Sequence, residues 1–173
     1  ISIVLVGRND NYGGDFRFRL ERCVKNLHGL LVERNASAEI IFVNYNPIAD
    51  NEPIETFIDW PKSVGNVSIR IITVPNQVHQ KLVADGNRKN VPVLEYVGKN
   101  VGIRRAKGQF VLAMNPDIII PENVLAELDD LQNNWFYRVD RVDFRQNNQE
   151  SKIDLNDIAK NAFNCYLKGF QYS

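Results

Sequence analysis

One carboxylate of this 173-residue chain follows directly on a predicted buried strand. The segment FVLAMNPD places Asp117 just after an apolar run, with Asn115 two residues earlier. Ligands of α/β proteins bind at the carboxyl ends of parallel strands, so Asp117 is expected at the ligand edge of a sheet. Mn²⁺ and Mg²⁺ prefer oxygen ligands and are often held by one or two carboxylates together with phosphates. Asp117 is therefore a candidate metal ligand supported by Asn115, although Asn-Pro-Asp alone is more typical of a simple turn.

The segment before this strand combines basic residues with small ones. Lys99, Arg104 and Arg105 are candidates for contact with phosphate oxygens. Gly102 and Ala106 lie four residues apart on a predicted helix and leave one face without bulk, so a ligand or a neighbouring backbone can approach closely. The alternative is a helix packed tightly on the sheet, with its basic residues in solvent.

Polar residues also follow the first two predicted strands. Val6 ends the first strand, Arg8, Asn9 and Asp10 come next, and Asn44 follows the second strand. Loops at these positions form the walls of a nucleobase pocket in α/β proteins. Taken singly, each loop is more often just the end of a strand.

The stretch RVDRVD, residues 138–143, alternates with period two. This places Arg141 and Asp143 on one face of a predicted strand and Arg138 and Asp140 on the other. Asp140 or Asp143 is a candidate general base for an acceptor hydroxyl. Cross-strand ion pairing is an equally good interpretation.

Hydrophobic patterning predicts the elements that position these residues. Apolar runs predict strands over residues 1–6, 39–43, 67–74 and 109–114, and an alternating run predicts another over 135–144. Helical spacing predicts helices over residues 16–31, with Asp15 as N-cap, over 90–107 and over 153–167. Residues 76–90 are predicted to be a polar loop that contains His79. The alternation of strands and helices along the chain predicts one α/β domain, a three-layer sandwich with a mainly parallel central sheet and helices on both faces.

Composition narrows the classes of function. A formal net charge of +0 argues against broad electrostatic capture of nucleic acid, and no apolar run is long enough to span a bilayer. Residues 1–6 are too short for a signal peptide, while a first residue of Ile is consistent with a missing leader or tag. Cys23 and Cys165 lack metal-binding spacing and fit a reducing compartment, so a cytoplasmic location or the cytosolic face of a membrane is expected.

Four of these stretches, in this order, resemble the nucleotide-sugar half of family-2-like glycosyltransferases with the GT-A fold. ISIVLVGRND resembles the first strand and loop of the family, and EIIFVNYNP its second strand. KNVGIRRAKG is similar to its Asn-x-Gly and Ala-x-Gly helix, and FVLAMNPD to the strand that leads to its Asp-x-Asp metal motif. Asn44 and Asn115 stand where the family often has acids. The resemblance covers roughly residues 1–145 and depends on order and spacing rather than on any single motif.

The resemblance implies transfer of a sugar from a nucleotide-diphosphate sugar to a hydroxyl of a glycan, lipid or protein, usually with inversion and with Mn²⁺ or Mg²⁺. Residues 1–117 would bind the donor, and residues 118–173 would form the acceptor side and a C-terminal helix. Asp140, Asp143, Glu150 and Asp154 lie in the region where the family has its catalytic base, and Asp140 or Asp143 is the predicted base. The implied donor-site residues are Val6, Arg8, Asn9, Asn44, Lys99, Asn100, Arg104, Asn115 and Asp117.

Two other functions remain open at this point. A sugar-nucleotide fold without a catalytic base would be a binding module, able to hold the donor but not to transfer the sugar. A sugar nucleotidyltransferase is less well supported, because that chemistry usually needs a Gly-rich loop with basic residues after the first strand. Gly13-Gly14 lies too far from the strand and lacks a following basic pair. A homo-oligomer is compatible with any of these functions.

Overall fold

A computed structural model provides the structure of the protein and describes residues 1–84, 90–139 and 167–171. The chain divides into two compact units, Ile1–Ile119 and Ile120–Ser173. The strands of the first unit are β1 (Ser2–Gly7), β2 (Ala38–Tyr45), β3 (Val67–Val74) and β4 (Val111–Ala113). Its helices are α1 (Phe16–Glu33), α2 (Ile54–Phe57), α3 (Asn76–Val83) and α4 (Glu95–Ile103).

The four strands form one parallel sheet in the order β3-β2-β1-β4. Both β1 and β2 are buried along their whole length, which is expected for parallel strands covered on both faces. Asn44 pairs with Gly7 on one side and with Thr73 on the other. The chain moves outward from β1 to β3 and then returns to place β4 beside β1. The strand order therefore reverses between β1 and β4, the kind of point where α/β sheets bind ligands.

Helix α4 packs on one face of the sheet at close range. A Cβ added to Gly98 would lie 2.6 Å from Val6, and one added to Gly102 would lie 2.4 Å from Val4. Only glycine allows this approach at both positions, so the small residues of the segment serve helix–sheet packing. This was the structural alternative that the sequence left open.

Helix α1 covers the opposite face, so the protein is an α/β fold with helices on both faces of a parallel sheet, as predicted. Next to this helix, a Cβ on Gly7 would lie 2.8 Å from Phe16 and 2.9 Å from Phe42. Asp15 precedes α1 but its side chain makes no capping hydrogen bond, because its backbone is left-handed with φ of 49°. Asn11 Oδ1 instead accepts the Phe16 N–H at 3.2 Å. The buried residues of α1 recur at helical spacing: Phe16, Leu20, Cys23, Val24, Leu27 and Leu31.

Two predictions for the connection between β3 and β4 were wrong: one helix was missed, and the start of another was misplaced. Residues 76–83 form a helix, α3, where a polar loop was predicted. The buried residues of this helix are His79 and Val83, which lie one turn apart. Two buried positions among polar neighbours are too short a pattern to predict a helix. His79 is buried, and its Nδ1 lies 3.4 Å from Tyr45 Oη. Helix α4 begins at Glu95 rather than at residue 90, and it ends at Ile103.

The described residues of the second unit begin with a short helix, α5 (Glu122–Ala126), followed by a 3₁₀ turn over Glu127–Asp130. Strands β5 (Trp135–Val139) and β6 (Leu167–Gln171) pair in antiparallel fashion. Most of the predicted C-terminal helix lies outside the described residues, but its last position, Leu167, begins β6. In the part of the chain that the structure describes, no helix is both long and apolar enough to cross a bilayer.

Candidate functional site

The turn after β4 carries two of the predicted site residues, and each is bound by a cationic side chain. Lys99 Nζ donates to Asn115 Oδ1 at 3.1 Å and also pairs with Glu95 at 2.5 Å. Asp117 forms an ion pair with Arg19, which donates from Nη1 to Asp117 Oδ2. The turn thus brings together three of the predicted site residues, Lys99, Asn115 and Asp117, and adds Arg19.

Arg19 was missed by the sequence analysis. It lies in the first turns of α1, where its Nε and Nη2 donate to Gly14 O at 3.2 and 3.1 Å and its Nη2 also donates to Tyr12 O. The guanidinium carbon lies 5.7 Å from the centre of the Phe16 ring. A signal was available, because Arg19 is three residues after Phe16 and four before Cys23, both on the buried side of the helix. An arginine on that side requires a partner.

Cys23 lies on the same side of α1 and is buried. Burial, together with the negative charge of Asp117, raises the pKa of its thiol to about 12. The thiol is therefore protonated at neutral pH and unreactive as a nucleophile. Its role is to pack in the core.

Asn9 joins the loop after β1 to the loop after β2. Its Nδ2 donates to Ile48 O at 2.9 Å and to Glu52 O at 3.0 Å, and its Oδ1 accepts the Ile48 N–H at 2.8 Å. Asn51 Nδ2 donates to the Asn9 carbonyl at 2.7 Å. The side chain of Asn9 is thus engaged in holding two loops together and is not available to a ligand.

Asn46 has a similar structural role beyond the end of β2. Its Nδ2 donates to Pro92 O at 2.9 Å, and its Oδ1 accepts from Asn76 Nδ2 at 2.8 Å. Its φ of 52° is left-handed, a conformation that asparagine tolerates better than most residues. It therefore ties the loop after β2 to the start of α3 and to the segment before α4.

Asn44 differs from both of these asparagines. It is 3% exposed, and its Oδ1 has no hydrogen-bond partner among the described residues. Its position in β2 places its side chain on the same face as Phe42, which is the face that α1 covers. A buried polar atom without a partner costs free energy unless water or a ligand supplies one. Asn44 is thus the buried amide at this edge with an unfilled acceptor.

An open cleft of about 460 Å³ lies between the loops after β1 and β2. Arg17 reaches across it and pairs with Glu52 at 2.8 Å, while its guanidinium carbon lies 5.1 Å from the centre of the Phe57 ring. Arg8 pairs with Asp10 at 2.7 Å. The cleft is lined by Asn9, Asp10, Asn11, Arg17, Asp50, Asn51, Glu52 and Phe57.

Other predicted residues lie away from this edge or outside the described part of the chain. Val6 is buried in the core against Gly98, and Asn100 is exposed on α4. Arg104 is the C-cap of α4. It lies near the amino ends of the strands, since the Gly108 N–H four residues later donates to Ser2 Oγ, at the start of β1, at 2.8 Å. The structure does not bring Arg104 to the turn that carries Asp117. The candidate bases Asp140 and Asp143 lie outside the described residues.

The donor set at the turn does not fit a divalent cation well. Asp117 is the single carboxylate of the turn, and Arg19 already binds it. Asn115 offers one neutral oxygen, which Lys99 binds. Within residues 1–84 and 90–139, no group of three or more His, Cys, Asp or Glu side chains is arranged to hold a metal ion. A bound Mn²⁺ or Mg²⁺ stays a prediction of the resemblance.

Comparisons with known proteins gave no match: no family model, no curated protein and no solved structure was found that is similar to this chain. The glycosyltransferase resemblance therefore stays a hypothesis, carried by the order and spacing of its four motifs.

Proposed function

We propose that the protein binds a nucleotide-diphosphate sugar at the carboxyl edge of its parallel sheet and transfers the sugar to an acceptor hydroxyl. The observation that carries this proposal is the position of Asp117 and its basic partners beside the β1/β4 reversal of strand order. Crevices at such reversals hold nucleotides in other α/β folds. The motif order of the sequence favours a sugar nucleotide over other nucleotides.

Asn44 supports a place for the nucleobase. It lies on the β2 side of β1, while Asp117 follows β4 on the other side, so a ligand held by both would lie across the carboxyl end of β1. A base carries adjacent donors and acceptors, and a ring N–H would fill the vacant acceptor at Asn44 Oδ1. This buried amide is the recognition group that we assign to the base.

Transfer would proceed by attack of the acceptor oxygen on the anomeric carbon as the bond to the diphosphate breaks. The leaving diphosphate gains negative charge, which cationic groups at the turn would stabilise. The hydroxyl proton would pass to a general base, for which Asp140 and Asp143 stay the candidates. A glycan, lipid or protein acceptor, a cytoplasmic location and a homo-oligomer also stay predictions.

A non-catalytic binding module is the second candidate. Four acids near the carboxyl edge are already engaged by basic side chains: Asp10 by Arg8, Glu52 by Arg17, Glu95 by Lys99, and Asp117 by Arg19. A carboxylate that is already paired with a cationic side chain is poorly placed to take a proton from an acceptor hydroxyl. These acids therefore favour binding over proton transfer.

A ligand panel tests the proposal. Thermal unfolding is followed with UDP-, GDP- and dTDP-sugars on the wild type, Asn44→Ala and Asn66→Ala, with and without Mn²⁺. A ligand at one hundred times its Kd adds about 2.7 kcal/mol to the free energy of unfolding. We expect one nucleotide class to stabilise the wild type and Asn66→Ala but not Asn44→Ala, since Asn66 is exposed before β3 at the opposite edge. Absence of any shift would refute donor binding, and binding without transfer or donor hydrolysis would favour the binding module.

A further inference from the structure

Both polar side chains of the turn after β4 are bound by cations of the chain itself. Arg19 holds Asp117, and Lys99 holds Asn115. A divalent ion bound to Asp117 would lie close to the positive charge of the Arg19 guanidinium. Like charges at contact distance repel each other near a protein surface, where the effective dielectric constant is far below that of water.

We propose that Arg19, with Lys99, takes the place of the divalent ion and binds the diphosphate of the donor without a metal. The inference rests on the proposed function for the identity of the donor. The chemistry of the two side chains themselves indicates a diphosphate site, because a guanidinium binds phosphate oxygens through planar, charge-assisted hydrogen bonds.

The hydrogen bonds of the two cations leave room for such a ligand. Four of the five N–H groups of Arg19 donate to described residues, namely Gly14, Tyr12 and Asp117. The fifth N–H, on Nη1, has no partner among the described residues. Lys99 donates to Asn115 and Glu95 and keeps a third N–H. The side chains of Arg19 and Lys99 are 28% and 18% exposed, so both can be reached from solvent.

Asp117 is a positioning residue in this arrangement. Together with the carbonyls of Tyr12 and Gly14 and the Phe16 ring, it holds the guanidinium in one orientation before a ligand arrives. A cation held in place in this way loses less freedom on binding. Its negative charge nevertheless opposes an incoming anion. Removal of that charge should therefore not abolish binding, whereas it would abolish binding through a metal.

Calorimetric titrations with inorganic pyrophosphate and with the UDP-, GDP- and dTDP-sugars, each in EDTA and in Mn²⁺, test the inference. The variants are Arg19→Gln, Arg19→Lys, Asp117→Asn and Arg22→Gln. Arg22 is the matched control, because it is an arginine of α1 that lies 5.3 Å from the Phe18 ring rather than at the turn. Circular dichroism and thermal unfolding first establish that each variant is folded.

We expect binding in EDTA whose Kd rises about ten- to hundredfold in Arg19→Gln, the range for a hydrogen bond to a charged group. Arg19→Lys should recover part of the loss, Arg22→Gln should bind as the wild type does, and Asp117→Asn should bind at least as tightly. If Arg19→Gln does not fold, Asp117→Asn still decides, because loss of EDTA-resistant binding in that folded variant would overturn the inference.

The two ligands separate the inference from the proposed function. Sugar-nucleotide binding that requires Mn²⁺, survives in Arg19→Gln and is lost in Asp117→Asn would overturn the metal-free site and leave the donor assignment standing. Arg19-dependent pyrophosphate binding without any sugar-nucleotide binding would support the anion site and refute the donor assignment. No binding of either ligand would overturn both.

Discussion

At the scale of single residues, three buried asparagines near the carboxyl ends of the strands have different roles. Asn9 and Asn46 use their amides to tie loops together, whereas Asn44 keeps an acceptor without a partner. The sequence presented all three as similar polar residues after strands. Only the count of hydrogen bonds at each amide distinguishes a structural asparagine from one available to a ligand.

Asn9→Ala should destabilise the protein. The substitution leaves the carbonyls of Ile48 and Glu52 and the N–H of Ile48 without their partner at a position that is 2% exposed. An unsatisfied buried group costs about 1–3 kcal/mol, and because Ile48 is half-buried and Glu52 is exposed, a total loss within that range is expected. Urea unfolding measures it, with Asn100→Ala on the exposed side of α4 as the control. Equal unfolding midpoints for the two variants would contradict the structural role of Asn9.

At the scale of elements, one buried carboxylate links the strands to one another at the amino end of the sheet. Glu39 is the second residue of β2, and its Oε1 accepts from Ser2 Oγ at 2.7 Å and from the Lys107 N–H at 2.6 Å. Its Oε2 accepts from Arg70 on β3 at 2.7 Å. Glu39 thus links β1, β2, β3 and the segment that leads into β4. Both oxygens of Glu39 thus have partners within the chain, whereas Asn44 Oδ1 at the carboxyl edge has none among the described residues.

Glu39 should make stability depend on pH in the acid range. Burial alone would raise the pKa of its carboxyl, but the hydrogen bonds from Ser2, Lys107 and Arg70 outweigh burial and lower the pKa. A folded pKa below the unfolded value of 4.5 means that the unfolded chain binds the proton more readily. The stabilisation is therefore complete above pH 4.5 and is lost as pH falls through the folded pKa.

The measurement is the free energy of unfolding as a function of pH for the wild type and Glu39→Gln. We expect the difference between the two to shrink below pH 4.5, because Gln has no proton to gain. A difference that stays constant down to the acid limit would show that Glu39 has the same pKa in both states.

The contact between α4 and β1 gives a second prediction at this scale. Gly102→Ala should destabilise, because its Cβ would lie 2.4 Å from Val4, and overpacking of a core costs about 1–3 kcal/mol. Gly29→Ala in α1 is the matched control, since nothing lies within 4 Å of its Cβ position. That variant should gain about 1 kcal/mol from helix propensity. Thermal unfolding of both decides, and a rise in melting temperature for Gly102→Ala would contradict the close packing.

At the scale of the whole molecule, the division into two compact units predicts which part can fold alone. Residues 1–119 contain the four-stranded sheet, both covering helices and the turn with Asp117. A fragment ending at Ile119 should therefore unfold cooperatively and keep the ligand binding of the full chain. Circular dichroism and the calorimetric titrations above test it, with the full chain as reference. A fragment that is unfolded under native conditions would show that the sheet depends on the rest of the chain.

The sequence by itself determined the α/β class, the four parallel strands, the helix predicted over residues 16–31 and the place of Asp117 after β4. These features depend on local periodicity and on the general rule for parallel sheets. Only the tertiary structure decided that Arg19 binds Asp117, that Asn9 joins two loops and that Gly98 and Gly102 serve packing. Arg19 and Asp117 are 98 residues apart, and whether such side chains meet depends on how α1 and β4 pack against β1. The local pattern of apolar and polar residues does not determine that packing geometry.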